Sequence, residues 1–346
     1  MSLLSYSGVT TKVRALSGKL MSNDDYRELS LVTSVQEYVN YLKQRKAYES
    51  IFSQVDVEAL HRGDIEKLLT KGIYRDFSRI YRFSNTKQRE YLNLYFIRFE
   101  VQVIKSCLRM VFDNSDPELN LDIFQEFFTK HSKLDLSKLT SSNTIDELIT
   151  NLQGTEFYQP LSKLLTVEHT TLFDYEMQLD LFYFVTIYKS CPKHLKGDDL
   201  KLVMNTFGLE IDLLNIQWIY RAKKYLKLAN TELYKIIIPI NYKLKHNQIV
   251  KLVEAESMAV FKQELNATYY GNKFATIENY SLEEVFEQLQ EKLYQLDSRK
   301  KPYSVAVIKS YLYNKEKEVQ KLTTALECIR YGYSQKEIEQ YLQTEV

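Results

Sequence analysis

The sequence predicts an all-α protein, and three observations support this prediction. Residues that break helices are scarce, with 9 glycines and 5 prolines among 346 residues, where average usage would give about 24 and 17. Apolar residues recur over long runs at a spacing of three to four, which is the period of one helix face. The alternation typical of strands is missing, and Lys235 to Ile240 is the only ambiguous segment.

Capping signals and apolar runs place the helices. Ser34 with Glu37 forms a capping box before the first amphipathic run, and Ser334 with Glu337 repeats that pattern near the C-terminus. The apolar residues of the first run recur at i, i+3, i+4 and i+7, and they are Val35, Tyr38, Val39 and Leu42. Long helices are predicted from about Thr86 to Phe112, Leu161 to Tyr188, Asp198 to Leu228, Ser281 to Leu296 and Tyr303 to Tyr331.

Composition excludes several classes of function. Lys and Arg number 46 and Asp and Glu number 45, so the chain lacks the basic surface that nucleic-acid binding requires. No apolar run approaches the ~20 residues that span a bilayer, and the N-terminus shows no signal-peptide pattern. Three widely separated cysteines indicate a reducing compartment. We therefore expect a cytoplasmic protein that reaches a membrane only by holding a membrane protein.

The chain also contains internal repetition. The segment Ser34 to Tyr48 aligns without a gap to Thr144 to Tyr158, so that both begin with the same cap and end on a tyrosine. A weaker third counterpart lies at Ser257 to Leu265. The shared order and spacing predict three helical repeats of about 110 residues. Their expected bounds are 1–113, 114–235 and 236–346.

Each predicted repeat carries an acid in a long helix, and these acids are the candidate site residues. They are Glu100, Asp212 and Glu318. An aromatic residue stands five positions before each acid, and an arginine stands nine positions after the first two. These residues are Tyr95, Phe207, Tyr313, Arg109 and Arg221. Because nine residues are two and a half helical turns, we expect no ion pair between acid and arginine within one helix. We interpret the acids as polar contacts between helices, with partner binding and catalysis as alternatives.

No motif for nucleotide, metal or covalent chemistry occurs. The pattern G-x-x-x-x-G-K-[ST] is absent, so no P-loop is present to hold phosphates. The patterns H-E-x-x-H, C-x-x-C and G-x-S-x-G are absent as well. Cys191 and His194 have ligand-like spacing, but zinc needs four ligands and no second pair is in view. We expect a protein that is not an enzyme and that holds no cofactor and no metal.

Two segments resemble a known family. Tyr303 to Leu322 is an aromatic-rich helical run that carries lysines and then Glu318, followed by the aliphatic residues Val319 and Leu322. This run resembles the C-terminal signature of the C subunit of the V/A-type rotary ATPases (V-type ATP synthases), whose eukaryotic counterpart is the d subunit. The opening from Tyr6 to Ala15 resembles the first helix of that family, and the resemblance spans nearly the whole chain.

This resemblance implies a fold and a role. The implied fold is a funnel-like helical body of three pseudo-symmetric repeats. The implied role is that of a rotor subunit in the central stalk, which receives the shaft made by the D and F subunits, sits on the membrane proteolipid ring and couples the two for H⁺ or Na⁺ transport. At one position the chain departs from the family, since Lys321 stands where the family often has asparagine, although the second repeat has Asn215. The resemblance therefore implies no particular hydrogen bonding at that position.

An all-α adaptor or scaffold unrelated to a membrane motor is the alternative interpretation. Stacked helical repeats commonly serve that role. Their repeats run ~33 to 47 residues, however, whereas those predicted here are about 110 residues long. A helical enzyme with an unmarked site is a third possibility, and no group of residues supports it. Repeat length therefore favours the rotor subunit.

Overall fold

The computed structural model describes residues 3–53, 55–56, 60–113, 121–271 and 282–342. Every regular element in these residues is helical, which confirms the predicted all-α class. The chain divides into two compact units, one formed by Met1–Gln88 with Lys301–Val346 and the other by Arg89–Lys300. The division into three repeats, and the funnel-like body that they would form, remain predictions.

The first unit is built from both ends of the chain. Its helices are α1 Leu3–Ser17, α2 Asn23–Ser30, α3 Val35–Lys43, α4 Glu49–Phe52, α5 Arg62–Phe83, α17 Val305–Arg330 and α18 Gln335–Leu342. Helix α17 packs against α1, α3 and α5, while α18 packs against α2. These contacts fully bury apolar side chains from both ends, including Leu42, Phe77, Ile80, Leu312 and Leu322. Each such burial contributes about 1.5–3 kcal/mol, so the two ends form one shared core.

The second unit holds the middle of the chain. Its helices are α6 Thr86–Phe112, which begins at the unit boundary, and then α7 Asp122–His131, α8 Leu136–Thr140, α9 Ile145–Asn151, α10 Tyr158–Ser162, α11 Leu172–His194, α12 Gly197–Arg221, α13 Asn230–Ile236, α14 His246–Glu254, α15 Met258–Asn266 and α16 Leu282–Lys300. Helix α12 packs against α11, α14 and α16. The core around α12 includes Leu213, Ile216, Ile219, Leu252, Phe261 and Leu265.

The predicted caps form, with one change of partner. Before α18, the Ser334 N–H and hydroxyl donate to the Glu337 carboxylate at 2.8 and 2.6 Å. At the start of α3, the Ser34 hydroxyl accepts from the Glu37 N–H at 3.2 Å, as expected. The Glu37 carboxylate, however, accepts from the backbone N–H and hydroxyl of Thr33 at 2.9 and 3.0 Å. The carboxylate thus reaches one residue beyond the capping-box partner.

The predicted bounds hold for α6 but are wrong for the run from Leu161 to Tyr188. That run is divided by a 3-10 helix at Lys163–Thr166, and α11 begins only at Leu172. The division has a local cause, because the Thr171 N–H and hydroxyl donate to the Asp174 carboxylate at 2.8 and 2.6 Å and start a new helix.

The predicted helix from Asp198 to Leu228 ends earlier than expected. Helix α12 ends at Arg221, and a π-helical turn follows over Ala222–Leu226. Lys227 then adopts a left-handed backbone, with φ 50°, which cannot extend a right-handed helix. In the ambiguous segment, α13 ends at Ile236 and an extended residue follows, with no strand assigned there.

Candidate functional site

The three candidate acids are buried inside long helices. Glu100 in α6 is 9% exposed, Asp212 in α12 is 0% exposed and Glu318 in α17 is 4% exposed. A buried carboxylate loses its hydration, and this costs several kcal/mol unless donors within the protein replace the water. The donors at each acid therefore show which segments the acid joins.

Glu318 joins α17 to two N-terminal segments. Its carboxylate accepts from the Tyr48 hydroxyl at 2.5 Å, from Lys315 Nζ at 2.6 Å and from the Met21 backbone N–H at 2.6 Å. Met21 lies just before α2, and Tyr48 directly precedes α4. The acid thus holds the start of two helices from the N-terminal part of the first unit against its C-terminal helix.

The Lys315–Glu318 pair is an ion pair without solvent contact. Their side chains are 0% and 3% exposed. Lys315 Nζ also donates to the Tyr48 hydroxyl at 2.8 Å and lies 4.1 Å from the centroid of its ring. Burial and the neighbouring Glu318 carboxylate raise the pKa of Tyr48 well above its ordinary value. Tyr48 therefore keeps its proton and remains a donor to Glu318.

Asp212 joins α12 to the connection between α13 and α14. Three consecutive backbone N–H groups, of Tyr242, Lys243 and Leu244, donate to its carboxylate at 3.2, 2.6 and 2.8 Å. The Tyr270 hydroxyl adds a fourth hydrogen bond at 2.9 Å. Burial raises the pKa of Asp212, and the four hydrogen bonds oppose that shift. A single carboxylate thereby accepts hydrogen bonds from three successive backbone N–H groups of this connection.

Glu100 joins α6 to the residue that follows α7. Its carboxylate accepts a hydrogen bond from the Ser132 hydroxyl, which is its one hydrogen-bond donor among the described residues. Ser132 in turn accepts from the Leu134 N–H at 3.0 Å. Burial raises the pKa of Glu100 to about 7, the Ser132 hydrogen bond opposes the shift and the nearby Glu156 adds to it. This acid is the least well paired of the three.

The other predicted site residues lie apart from the carboxylates. Tyr95 packs edge-on against the Phe99 ring, and Phe207 packs against Tyr183 and Phe184. Tyr313 is half-buried, with its ring centroid 6.0 Å from Lys317 Nζ. Arg109 and Arg221 are both exposed, and Arg109 pairs with Glu176 at 2.6 Å. As expected, Arg109 does not pair with the acid on its own helix.

Asn215 and Lys321 make different contacts. The Asn215 side chain donates to the Ile238 carbonyl at 3.0 Å and accepts from the Ile238 N–H at 2.8 Å. Lys321 instead places its Nζ 5.2 Å from the centroid of the Tyr26 ring. The position three residues after the acid therefore joins α12 to the segment after α13 by an amide pair in one unit, and joins α17 to α2 by a cation–π contact in the other.

A recurrent turn carries the aromatic residue that follows a short helix. After α15, the Tyr270 N–H donates to the Thr268 hydroxyl at 3.1 Å, and Thr268 donates to the carbonyl three residues before it at 2.7 Å. After α9, the Phe157 N–H donates to the Thr155 hydroxyl at 3.3 Å, and Thr155 donates in the same way at 2.7 Å. Both turns place the aromatic side chain in the interior, where Tyr270 and Phe157 are each 1% exposed.

This turn corrects one alignment made from the sequence. The alignment without a gap places Tyr158 opposite Tyr48, but the buried aromatic residue after α9 is Phe157, and Tyr158 is only half-buried. By burial, the counterpart of Tyr48 is Phe157, one residue earlier than the alignment places it. Thr155 before Phe157 matches Thr268 before Tyr270, whereas Lys46 stands two positions before Tyr48, so the threonine relates only the second and third of these turns.

The described residues contain no group of three or more His, Cys, Asp or Glu side chains that could hold a metal ion. Cys191 is buried and His194 is exposed, so their spacing in the sequence does not form a joint site. In the same part of the chain, no helix is both long enough and apolar enough to cross a membrane.

The fold and these contacts define an all-α protein in which buried carboxylates on long helices join the segments around them. The family model described as ATP synthase (C/AC39) subunit matches residues 9–341. The chain therefore belongs to that family, which confirms the predicted resemblance to the C subunit of the V/A-type ATPases.

Individual members of this family match the chain over most of their own length. The chain is 26% identical to the C subunit of the A-type ATP synthase of Thermococcus onnurineus, over 97% of this chain and 89% of the relative. It is 23% identical to the protein of that name from Pyrococcus abyssi, again over 97% and 89%. The match to the Methanosphaera stadtmanae protein is also 23%, over 92% of this chain and 82% of the relative.

Proposed function

We propose that this protein is a non-catalytic rotor subunit in the central stalk of a V/A-type ATPase or ATP synthase. The observation that supports the proposal is the family match over residues 9–341, together with relatives named as the C subunit of A-type ATP synthases. The missing P-loop pattern is consistent with a part of the complex that does not bind the nucleotide.

The proposed partners are the D and F subunits of the shaft on one side and the membrane proteolipid ring on the other. The protein would pass the rotation of the shaft to the ring, which carries H⁺ or Na⁺. It would lie at the cytoplasmic face of the membrane and be held there by contacts with other subunits of the complex.

A part that transmits torque must resist deformation, and the contacts of Glu318 and Asp212 suit that demand. Each links a long helix to backbone or side chains distant in sequence, at separations of 297 residues for Met21–Glu318 and 58 for Tyr270–Asp212. Hydrogen bonds to buried charged groups contribute about 1.5–3 kcal/mol each. Such contacts make local opening of these helices costly.

The test is to remove the protein from the complex and to measure ATP hydrolysis and ion uptake in the same membranes. We expect the catalytic head to keep its hydrolysis, because it keeps its nucleotide sites, while ion uptake stops. Adding the purified chain back should restore uptake. Normal ion pumping without the protein would refute coupling, and loss of hydrolysis by the isolated head would indicate a catalytic or assembly role instead.

A binding experiment separates this role from that of an unrelated scaffold. The purified chain is mixed with a complex of the D and F subunits, and separately with a proteolipid ring in detergent. We expect a stable complex in each mixture by size-exclusion chromatography. Failure to bind either partner would contradict the proposed place in the stalk.

A further inference from the structure

The three buried carboxylates differ in the number of their donors. Glu318 accepts from two side chains and a backbone N–H, and Asp212 accepts from three backbone N–H groups and a hydroxyl. Glu100 accepts from the Ser132 hydroxyl alone within the described ranges. An ionised carboxylate has room for about four hydrogen bonds, so Glu100 is the acid that burial leaves least compensated.

Phenolic donors account for part of this difference, since Glu318 and Asp212 each accept from one. Tyr48 and Tyr270 each donate a phenolic hydroxyl to an acid. Phe157 occupies the same threonine-led turn as Tyr270 and is equally buried, but it has no hydroxyl. Its neighbour Glu156 is near enough to Glu100 to raise the pKa of Glu100 by charge repulsion.

We propose that the contact between Glu100 and Ser132 is a proton-dependent joint, which holds the segment after α7 against α6 and loosens when Glu100 ionises. A neutral carboxyl group is tolerated in an apolar interior far better than a carboxylate. The ionised form must gain water, and local opening of the segment around Ser132 supplies it. The proposal concerns this unit alone and does not depend on the function proposed above.

Several titratable groups surround the joint. Helix α7 contributes His131, whose ring lies 5.6 Å from that of Phe96, and burial lowers the pKa of His131, with Lys130 adding to that shift. The segment after α9 contributes Glu156, whose pKa is raised by burial and lowered by Lys133. None of these groups donates a hydrogen bond to the carboxylate of Glu100 in the described structure.

The direction of the pH effect follows from the pKa values. Burial raises the pKa of Glu100 from 4.5 to about 7 in the closed structure, and the opened segment restores the lower value. Between these two values the closed form binds the proton and the open form does not. Opening therefore increases by about tenfold per pH unit in this interval and becomes constant above the higher pKa.

Hydrogen exchange of the purified chain tests the proposal. Exchange of the amides in α7 and in residues 132–134 is measured at pH 5.5, 6.5, 7.5 and 8.5 and corrected for intrinsic exchange. We expect opening to rise about tenfold from pH 5.5 to 6.5 and to change little from pH 7.5 to 8.5. The variant E100Q, which cannot ionise, should remove this dependence. The control E126Q, an exposed change within α7 itself, should keep it.

A second variant tests the role of the Ser132 hydroxyl. Ser132→Ala removes the donor to the Glu100 carboxylate, whose hydrogen bond lowers the pKa of Glu100, so opening should become constant at a higher pH than in the unmodified chain. The proposal fails if the pH dependence persists in E100Q, or if exchange in α7 is independent of pH from the outset. If E100Q does not fold by circular dichroism, an unchanged pH profile in S132A overturns the proposal instead.

Discussion

Tyr48 acts as both donor and acceptor within a buried ion pair. Its hydroxyl donates to Glu318 and accepts from Lys315 Nζ, at 2.5 and 2.8 Å. Two opposite charges in a low-dielectric interior are stable only if their remaining hydrogen-bonding capacity is met. The hydroxyl meets part of that capacity for both charges at once, so its removal affects the carboxylate and the ammonium together.

We therefore expect Tyr48→Phe to lower the free energy of unfolding by about 1–3 kcal/mol, the usual cost of leaving buried polar groups without a partner. Urea denaturation followed by far-UV circular dichroism measures this change. Tyr331→Phe is the matched control, because that side chain is 63% exposed and its loss of a hydroxyl should change stability by no more than about 0.5 kcal/mol. Equal stability of Y48F and the unmodified chain would show that the hydroxyl contributes nothing to the ion pair.

The acids could be predicted from the sequence, but most of their donors could not. Glu100, Asp212 and Glu318 stand out because an acid interrupts an apolar helical run at a repeated spacing. The donors to Asp212 are mainly backbone N–H groups, and any residue except proline offers that group. The residue type of Lys315 does not distinguish it from surface lysines, and only the packing of α17 against α5 and α3 shows that it is buried.

At the scale of elements, Gly208 allows α12 and the segment after α13 to approach closely. A Cβ atom added at Gly208 would lie 2.7 and 2.9 Å from the Cδ2 and Cδ1 atoms of the Tyr242 ring. That ring is held by its hydroxyl, which donates to Asn205 at 2.8 Å. The Tyr242 backbone N–H donates to Asp212, one helical turn after the glycine. Close approach at the glycine therefore positions the donors of the acid.

Gly208→Ala should lower the free energy of unfolding by about 1–3 kcal/mol, because the ring must move or its rotamer must become strained. Hydrogen exchange should show faster opening of residues 242–244 in the same variant. Gly8→Ala in α1 is the control, since no atom lies within 4 Å of an added Cβ there and alanine favours the helix by about 1 kcal/mol. A stable G208A with unchanged exchange would mean that the close approach is not required.

Helix content was predictable, whereas several helix ends were not. The bounds of α6 follow from an uninterrupted apolar period and a turn cluster after Phe112. The start of α11 was missed because Thr171 and Asp174 form a cap inside a stretch that is apolar on both sides. The π-helical turn after α12 leaves no pattern in the residue types. Hydrogen bonds between polar side chains and the local backbone determine where these helices begin and end, and the spacing of apolar residues does not predict those hydrogen bonds.

At the scale of the whole molecule, the purified chain should show no ATP turnover of its own. The expectation follows from the absence of a phosphate-binding loop. Phosphate release is measured before and after a further purification step that removes contaminating ATPases, with the catalytic head as the positive control. Activity that stays constant per mole of this chain through that step would contradict the non-catalytic role.

The pairing of both chain ends in one unit has a consequence for biosynthesis. During translation the first 88 residues leave the ribosome early, yet the helix that covers α1, α3 and α5 begins only at Val305. Until that helix emerges, the N-terminal helices expose apolar faces that attract chaperones or promote aggregation. The middle of the chain, Arg89–Lys300, forms a compact unit of its own and can fold before that helix is made. Closure of a chain segment of nearly 300 residues, from Met21 to Glu318, is then a late and slow step of maturation.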